Sequence, residues 1–325
     1  MSRVFVTRMM AGEVIDLIAK HAGVDIWEKE TPVPRAEFLR RIADVDGILL
    51  WGGDSIDSEA MDTAPKLRVI ANVSVGYDNI DIAAATEKKI KVSNTPGVVT
   101  GSTADLAFAL MLAVSRRIIE MTQIVSRGEW RNFGPLEALG HDVFSKTLGI
   151  IGMGRIGAAV AQRARGFGMK VLYHNRHRRP DEAELGAEYV PDIKALLRRS
   201  DFVSIHVPLN KETRHLLGAA ELAAMKPTAI LVNTARGAVV DQKALYEALR
   251  QKQILAAALD VTDPEPMSLD DPLLKLDNVL VTPHIGTQTE ETGIDMCLMG
   301  AQNLLAGLKG EPMPNCVNCH LLGGK

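Results

Sequence analysis

The sequence predicts an α/β protein made of two Rossmann-like, doubly wound parallel-sheet domains with a cleft between them. Short apolar runs alternate with amphipathic runs along the chain, which is the rhythm of βαβ units. A G-x-G-x-x-G sequence, Gly152–Gly157, follows one apolar run and opens a helix-like stretch. A last helix-like stretch, from about 290 to 308, has no strand left to cover in the second domain, so we expect it to pack on the first.

These features divide the chain into a flavodoxin-like domain, 1–98 with 288–325, and a dinucleotide-binding Rossmann domain, 99–287. In the first domain, apolar runs predict strands at 4–6, 47–50, 68–71 and 90–92, with a helix at 11–20. The turn-forming sequence Asn94-Thr95-Pro96-Gly97 ends this rhythm. A long apolar helix then runs from about Ser102 to Ser126. Six strands are predicted in the second domain, at 148–151, 170–174, 202–206, 229–232, 256–259 and 279–281.

Composition and charge narrow the function classes. The 325 residues are 46% hydrophobic and 24% charged, which is ordinary for a globular protein. Lysine and arginine number 37 against 40 acidic residues, a net charge of −3, so nothing favours a nucleic-acid partner. No apolar run reaches membrane-spanning length, and no signal-peptide core follows Met1. We therefore expect a cytoplasmic protein with no membrane partner.

The cysteines point to a reduced protein. Three cysteines in a chain of this length do not make a disulfide framework. Cys316-Val317-Asn318-Cys319-His320 matches the haem-attachment pattern, but it follows Pro312 and Pro314 near the end of the chain, with no second ligand cluster beside it. We favour a plain surface tail over a haem or structural zinc site, and we expect no metal.

The glycine turn predicts a dinucleotide site. Glycines at a strand-to-helix turn let the backbone approach a pyrophosphate, which rests on the free N–H groups of the helix. About 20 residues on, an NAD site usually carries an acidic residue for the ribose 2′-hydroxyl. Here Asn175 stands in that region, followed by Arg176-His177-Arg178-Arg179. Guanidinium groups pair with a 2′-phosphate, so NADP(H) is favoured, while NAD(H) stays possible. The alternative is a solvated basic loop.

Three segments at predicted strand ends carry the groups that a carbonyl reduction needs. Arg236 offers a planar fork for a carboxylate, and His284 can exchange a proton near neutral pH. Glu265 can hold that histidine and favour its charged form. Each residue alone has an ordinary structural explanation, but together, beside a dinucleotide loop, they predict catalysis.

These segments together resemble one enzyme family. The fingerprint, Asn233–Gly237, Leu259-Asp260-Val261 leading to Glu265-Pro266, and Pro283–Gly286 are similar to the D-isomer-specific 2-hydroxyacid dehydrogenases. The resemblance covers essentially the whole chain. Within the family it is nearest to the glyoxylate/hydroxypyruvate reductases, including a bacterial branch that also reduces 2-ketogluconate. Ser74–Asn79 resembles the family's substrate loop.

The resemblance implies NADPH-dependent reduction of a small 2-oxo acid, glyoxylate or hydroxypyruvate, to the D-2-hydroxy acid. His284 would be the general acid, Glu265 would stabilise its charged form, and Arg236 would bind the carboxylate and polarise the carbonyl. The N–H groups of Val75 and Gly76, in the substrate loop, would also hold the substrate carboxylate. A homodimer is implied, joined through the helix from Thr103 and the arm at 130–141. The implied dinucleotide contacts are Gly152, Met153, Gly154, Arg155, Ile156, Gly157, Asn175, Arg176, His177, Val207, Pro208, Thr234, Ala235, Asp260 and Gly286.

Substrate size and function class leave alternatives open. Gly52 and Gly53 after Trp51 either widen the substrate pocket or form a tight turn facing away from it. We expect the first, so that hydroxypyruvate or a longer acid is reduced at least as well as glyoxylate. The enzyme alternatives are a reductase of a larger sugar acid such as 2-ketogluconate, or of a phosphorylated hydroxy acid. The alternative from another class is a dinucleotide-sensing, corepressor-like binding protein.

Overall fold

The computed structural model describes residues 1–322, which form two compact units. The first unit is Met1–Val99 with the segment from Gln288 onward, and the second is Thr100–Thr287. One has a five-stranded and the other a seven-stranded sheet, and all strand pairs are parallel. The predicted class, α/β with two doubly wound parallel sheets, is therefore confirmed. Within residues 1–322, no helix has the length and apolar character to cross a membrane.

The first unit has the strand order β2-β1-β3-β4-β5, which is the flavodoxin-like order. Its central strands are apolar on both sides because helices cover both faces of the sheet. The last helix, α11, packs on this sheet, and Gly300 lets it come close: a Cβ there would lie 2.8 Å from Val73 Cγ2. The elements are β1 (Ser2–Val6), α1 (Gly12–Ala19), β2 (Ala22–Ile26), α2 (Arg35–Ile42), β3 (Gly47–Trp51), α3 (Ser58–Asp62), β4 (Val69–Val73), α4 (Ile82–Glu87), β5 (Lys91–Ser93) and α11 (Glu290–Lys309).

The second unit has the order β8-β7-β6-β9-β10-β11-β12, so the direction of winding reverses between β6 and β9. Apolar clusters cover both faces, with α5 and α7 on one side and α8 and α10 on the other. The elements are α5 (Thr100–Ser115), α6 (Ile118–Ser126), β6 (Thr147–Ile151), α7 (Arg155–Gly166), β7 (Lys170–His174), β8 (Ala187–Tyr189), α8 (Ile193–Arg199), β9 (Phe202–Ile205), α9 (Ala219–Leu222), β10 (Ile230–Asn233), α10 (Gln242–Arg250), β11 (Ala256–Leu259) and β12 (Val279–Val281).

Three expectations about the elements were wrong. The first sheet has five strands rather than four, because β2 is an edge strand with a single buried residue, Ala22, and shows no apolar run. The long helix at 102–126 is two helices, because Arg117 adopts a left-handed backbone (φ 53°) between them. The chain returns to this break, where the His141 N–H donates to the Ser115 carbonyl at 2.8 Å. The second sheet has seven strands rather than six. The missed strand, β8, is a three-residue edge strand, too short to show a period in the sequence.

The C-terminal segment is not a plain surface tail, and its two cysteines are paired with each other. Cys316 and Cys319 form a disulfide, while the third cysteine, Cys297, is buried in α11. Between the paired cysteines, the Asn318 side chain is fully buried and accepts from the Val92 N–H of β5 at 2.9 Å. The Val317 N–H donates to the Val92 carbonyl at 2.7 Å. The segment therefore docks on the edge of the first sheet.

Candidate active site

The glycine turn lies at the switch point between β6 and β9, where ligands bind in sheets of this kind. Gly152 has φ 92°, and a Cβ there would lie 2.6 Å from Val207 Cγ1, so only glycine fits. A Cβ on Gly157 would lie 2.6 Å from the Gly152 carbonyl oxygen. Gly154 differs, because a Cβ there would meet nothing within 4 Å. Two glycines thus serve packing, and the third borders open space above the turn.

This space suits an anion, so the residues present fit a dinucleotide. Helix α7 begins at Arg155, and its N-cap, Gly154, supplies no capping side chain. Its first N–H groups therefore stay available to a pyrophosphate. Thr234 and Thr103 are buried, and neither Oγ1 has a partner among residues 1–322. A buried hydroxyl without a partner is costly unless a ligand satisfies it.

Sequence reasoning named Thr234 for the cofactor but not Thr103. Its side chain is close to Gly286, since a Cβ on Gly286 would lie 3.5 Å from Thr103 Cγ2. No sequence signal distinguished Thr103 from the other small residues of α5.

Met153 in the turn is held by two residues that follow β7. Asn175 Oδ1 accepts from the Met153 N–H at 2.7 Å, and the Arg179 guanidinium donates to the Met153 carbonyl at 2.9 Å. Asn175 therefore holds the backbone of the turn, and so does Arg179. The sequence did not distinguish Arg179 from its basic neighbours. Arg176 differs: its side chain is 80% exposed and lies 3.6 Å from the Glu212 carboxylate.

Arg236 lies in a loop that Asn233 organises. Asn233, at the end of β10, is buried and uses both ends of its amide. Its Nδ2 donates to the Arg236 carbonyl at 2.9 Å, and its Oδ1 accepts from the Ala235 N–H at 3.0 Å. This fixes the loop backbone from Ala235 to Arg236. Gly237 then lets the loop touch the next segment, because a Cβ there would overlap the Thr262 backbone at 2.0 Å.

His284 and Glu265 are brought together as the sequence predicts. Glu265 Oε1 is hydrogen-bonded to His284 Nδ1, which leaves Nε2 as the ring nitrogen for proton exchange. Partial burial raises the pKa of Glu265, but the His284 hydrogen bond and charge, with the Thr262 N–H and Arg236, outweigh it. The net pKa lies below the ordinary value of 4.5. Glu265 is therefore ionised at neutral pH and able to stabilise a positive imidazole.

Asp260 fixes the segment that carries His284. Its Oδ1 accepts from the Thr282 hydroxyl at 2.6 Å and from the Ile285 N–H at 2.8 Å. Its Oδ2 accepts from the Gly286 N–H at 2.8 Å. The side chain is buried, with both oxygens occupied. Asp260 therefore positions the loop around His284, and the expected contact of this segment with the cofactor stays a prediction.

His206 is a further residue that the sequence reasoning passed over. It immediately precedes Val207 and Pro208, which we expected to contact the cofactor. Its Nε2 lies 2.8 Å from the Ser204 hydroxyl. Burial of the ring lowers the pKa of His206 to about 4. The imidazole is therefore neutral under physiological conditions.

The first unit carries the loop Ser74–Asn79, between β4 and α4. Gly52 packs against this loop, since a Cβ there would lie 2.8 Å from Ser74 Cβ, whereas a Cβ on Gly53 would meet nothing within 4 Å. The expectation that the two glycines widen the substrate pocket stays a prediction. Gly52 and Gly53 form a turn that the Asp54 N–H closes onto the Trp51 carbonyl at 3.0 Å. Gly52 thus supports the base of the loop that holds Val75 and Gly76.

A glycine turn that accepts a dinucleotide, in the same unit as a residue pair able to exchange a proton, is what a nicotinamide-dependent dehydrogenase requires, and the second unit is of that class. Residues 108–286 match the family model for the NAD-binding domain of D-isomer-specific 2-hydroxyacid dehydrogenases. The chain belongs to this family.

Full-length relatives agree. The glyoxylate reductase of Korarchaeum cryptofilum is 51% identical over 97% of this chain and 96% of its own. A solved glyoxylate reductase from Paecilomyes thermophila is 36% identical, covers 97% of this chain and 98% of its own, and superposes with a TM-score of 0.87. An NADPH-dependent glyoxylate/hydroxypyruvate reductase from Sinorhizobium meliloti, solved with NADP and malonate, is 30% identical, covers 97% and 96%, and has a TM-score of 0.86.

Proposed function

We propose that this chain is a cytoplasmic reductase that converts glyoxylate and hydroxypyruvate to their hydroxy acids, with NADPH as the preferred cofactor. The observation that carries the proposal is the Glu265–His284 pair, held on the same unit as Arg236 and the dinucleotide turn. The names of the relatives support the substrate class: eight curated proteins, 46–51% identical, are all glyoxylate reductases.

The chemistry follows from the roles of three side chains. A bound nicotinamide supplies the hydride that reduces the C2 carbonyl. Arg236 pairs with the substrate carboxylate and draws electron density from the carbonyl oxygen. His284 donates its Nε2 proton to the developing alkoxide, and Glu265 holds the ring through Nδ1 while that proton is present.

A substrate panel tests the proposal. Glyoxylate, hydroxypyruvate, pyruvate and 2-ketogluconate are each reduced with NADPH and with NADH, and kcat/KM is measured. We expect the highest values for glyoxylate and hydroxypyruvate with NADPH, and a loss of about 10²–10⁴ in rate for His284→Ala under the same conditions. A preference for 2-ketogluconate would favour the sugar-acid alternative. Dinucleotide binding without turnover of any acid would favour the binding-protein alternative.

The cofactor preference rests on Arg176. Both side chains of its ion pair with Glu212 are exposed, and such pairs contribute little to stability. The Arg176 guanidinium can therefore leave Glu212 and pair with a phosphate at little cost. We expect Arg176→Ala to lose about 1.5–3 kcal/mol with NADPH, the value of one charge-assisted contact, and almost nothing with NADH. Arg250→Ala, which removes another exposed arginine from an ion pair, is the control. Equal losses with both cofactors would contradict the assignment.

We further propose that the protein is a homodimer joined through α6 and the segment that follows it. No residue of α6 is buried within the chain, although Ile118, Ile119 and Val125 are apolar. Trp130, Leu136 and Leu139 in the following arm are exposed as well. Exposed apolar side chains concentrated in one stretch of the chain are typical of a protein–protein interface.

A further inference from the structure

By resemblance, the N–H groups of the loop Ser74–Asn79 are expected to hold the substrate carboxylate, and hydrogen bonds to the loop's carbonyl groups fix their direction. Three successive carbonyl oxygens of the loop each accept a hydrogen bond. The Ser74 carbonyl accepts from the Thr95 N–H at 2.9 Å. The Val75 carbonyl accepts from Asn94 Nδ2, and the Gly76 carbonyl from Asn72 Nδ2, each at 2.8 Å.

These contacts determine where the N–H groups point. In a trans peptide the N–H is directed opposite to the carbonyl of the same plane. The Ser74, Val75 and Gly76 carbonyls are held by hydrogen bonds. The N–H groups of Val75, Gly76 and Tyr77 therefore each point away from the donor that holds the carbonyl of the same peptide plane. Successive N–H groups on one side of a loop form a concave anion site. The two asparagines hold the loop from behind and need not touch the anion.

Asn94 is itself braced by the C-terminal segment. Its N–H donates to the Asn315 carbonyl at 3.3 Å, and its carbonyl accepts from Asn303 Nδ2 at 3.4 Å. Asn303 Oδ1 in turn accepts from the Asn315 N–H at 3.0 Å. Asn303, on α11, is fully buried. Asn94, Asn303 and Asn315 thus form a closed hydrogen-bonded set.

The segment Asn315–Cys319, here called the clasp, is anchored next to this set. Asn318 Nδ2 donates to the Ile90 carbonyl at 2.9 Å and to the Thr86 hydroxyl at 3.1 Å. Asn318 Oδ1 also accepts from the Val92 N–H, so both ends of this buried amide are hydrogen-bonded at the edge of β5. The Cys316–Cys319 disulfide closes the turn that presents Asn318.

We propose that Asn94 and Asn72 are positioning residues for substrate-carboxylate binding, and that the clasp holds Asn94 in place. This inference rests on the proposed reduction of 2-oxo acids. It adds that substrate affinity depends on two amides behind the loop and on a C-terminal turn that closes on β5. Neither asparagine exchanges a proton or touches the cofactor turn.

The test separates substrate binding from the chemical step. In the holoenzyme, Asn94→Ala should raise KM for glyoxylate roughly fivefold or more, as expected for one lost hydrogen bond, and change kcat less than about twofold. Affinity for NADPH, followed by its fluorescence, should be unchanged. Asn318→Ala should raise KM in the same direction by a smaller factor. Oxalate affinity, measured by calorimetry with NADP⁺ bound, gives the same comparison without turnover.

The control is Asn278→Ala, which removes a side-chain amide that donates to backbone carbonyls of the second unit, those of Leu249 and Leu255. It should leave KM and oxalate affinity unchanged. Wild-type KM and oxalate affinity in Asn94→Ala would overturn the inference, as would a fall in kcat with KM unchanged. If Asn94→Ala does not fold, an Asn318→Ala protein with wild-type KM would overturn the clasp's role. A wild-type protein that reduces no 2-oxo acid would instead refute the proposed function.

Discussion

His284 occupies a backbone conformation that few residues other than glycine adopt, with φ 56°. Its N–H donates to the Asp260 carbonyl at 2.9 Å, and the next two N–H groups bind the Asp260 carboxylate. A left-handed residue costs of order 1–3 kcal/mol and persists only where its neighbours determine it. The hydrogen bonds of Asp260 hold His284 in this conformation, so the imidazole meets Glu265 in a fixed orientation.

The Glu265–His284 pair gives a prediction on pH dependence. Glu265→Gln keeps the shape of the side chain but removes the negative charge that stabilises a protonated imidazole. Reduction needs that proton, so the pH at which kcat/KM falls should move to lower values. The measurement is single-turnover reduction of glyoxylate across pH, with His284→Ala, expected to lose about 10²–10⁴ in rate, as the reference for lost acid catalysis.

Glu247→Gln is the matched control, since it neutralises an exposed glutamate that pairs with Arg250 on α10. Its pH profile should follow the wild type. A Glu265→Gln profile that falls at the wild-type pH would show that the carboxylate has no electrostatic role in proton transfer.

The site also depends on two loops that meet at Gly237. The Arg236 loop follows β10, and the segment leading to Glu265 follows β11. A side chain at 237 would overlap the Thr262 backbone, which cannot move aside as a flexible side chain can. The close approach therefore sets the separation of Arg236 and Glu265.

Gly237→Ala should force these loops apart. We expect a loss of about 1–3 kcal/mol in unfolding free energy, typical of overpacking. We also expect a larger fall in kcat/KM than stability alone explains, since Arg236 and Glu265 would shift relative to each other. Urea unfolding and steady-state kinetics measure the two effects. Gly166→Ala, where a Cβ meets nothing within 4 Å, should leave activity unchanged; a Gly237→Ala enzyme with wild-type values would contradict the packing argument.

Predictability from the sequence also differs between elements. Buried central strands such as β3 and β6 were predictable because each is a continuous apolar run in the sequence. The glycine turn was predictable because its glycines mark positions that need unusual backbone angles. The division of α5 from α6 was not, because Arg117 is an ordinary residue whose left-handed backbone is stabilised by the returning arm. Edge strand β8 is too short and too exposed to show a pattern.

Within the site, residue types could be predicted, but contacts could not. Arg236, Glu265 and His284 carry recognisable chemistry at strand ends. Asn72 and Asn94 carry none by themselves, and their importance comes from which carbonyls they meet. The docking of Asn318 on β5 depends on contacts between residues more than 200 positions apart, which a single sequence does not encode in any local period.

The exposed apolar side chains of α6 predict that the protein self-associates. An acidic residue at the centre of an apolar interface would be buried without a partner, which strongly disfavours assembly. The double variant Ile119→Asp, Val125→Asp should therefore have the mass of one chain by light scattering, where the wild type has the mass of two. Leu269→Asp, at an exposed leucine outside this surface, should remain a dimer. A wild type that is a monomer at micromolar concentration would exclude the proposed dimer.

Acid stability should depend on one partly buried ring, that of His206. The pKa of His206 is lowered from 6.5 to about 4 by burial, so the unfolded chain binds a proton there that the folded chain does not. A depressed folded pKa means that this contribution to stability is complete above pH 6.5 and is lost as pH falls towards 4. Between about pH 7 and pH 5, before most carboxylates titrate, the free energy of unfolding should drop by about 2 kcal/mol from this residue.

Urea unfolding of His206→Gln tests this, because glutamine can keep a hydrogen bond to Ser204 but does not titrate. Its stability should change less between these two pH values, by about the same 2 kcal/mol. His177→Gln makes the same substitution at an exposed histidine and controls for the chemical change. A His206→Gln protein that loses stability as steeply as the wild type would show that the ring takes up its proton in the folded state as easily as in the unfolded chain.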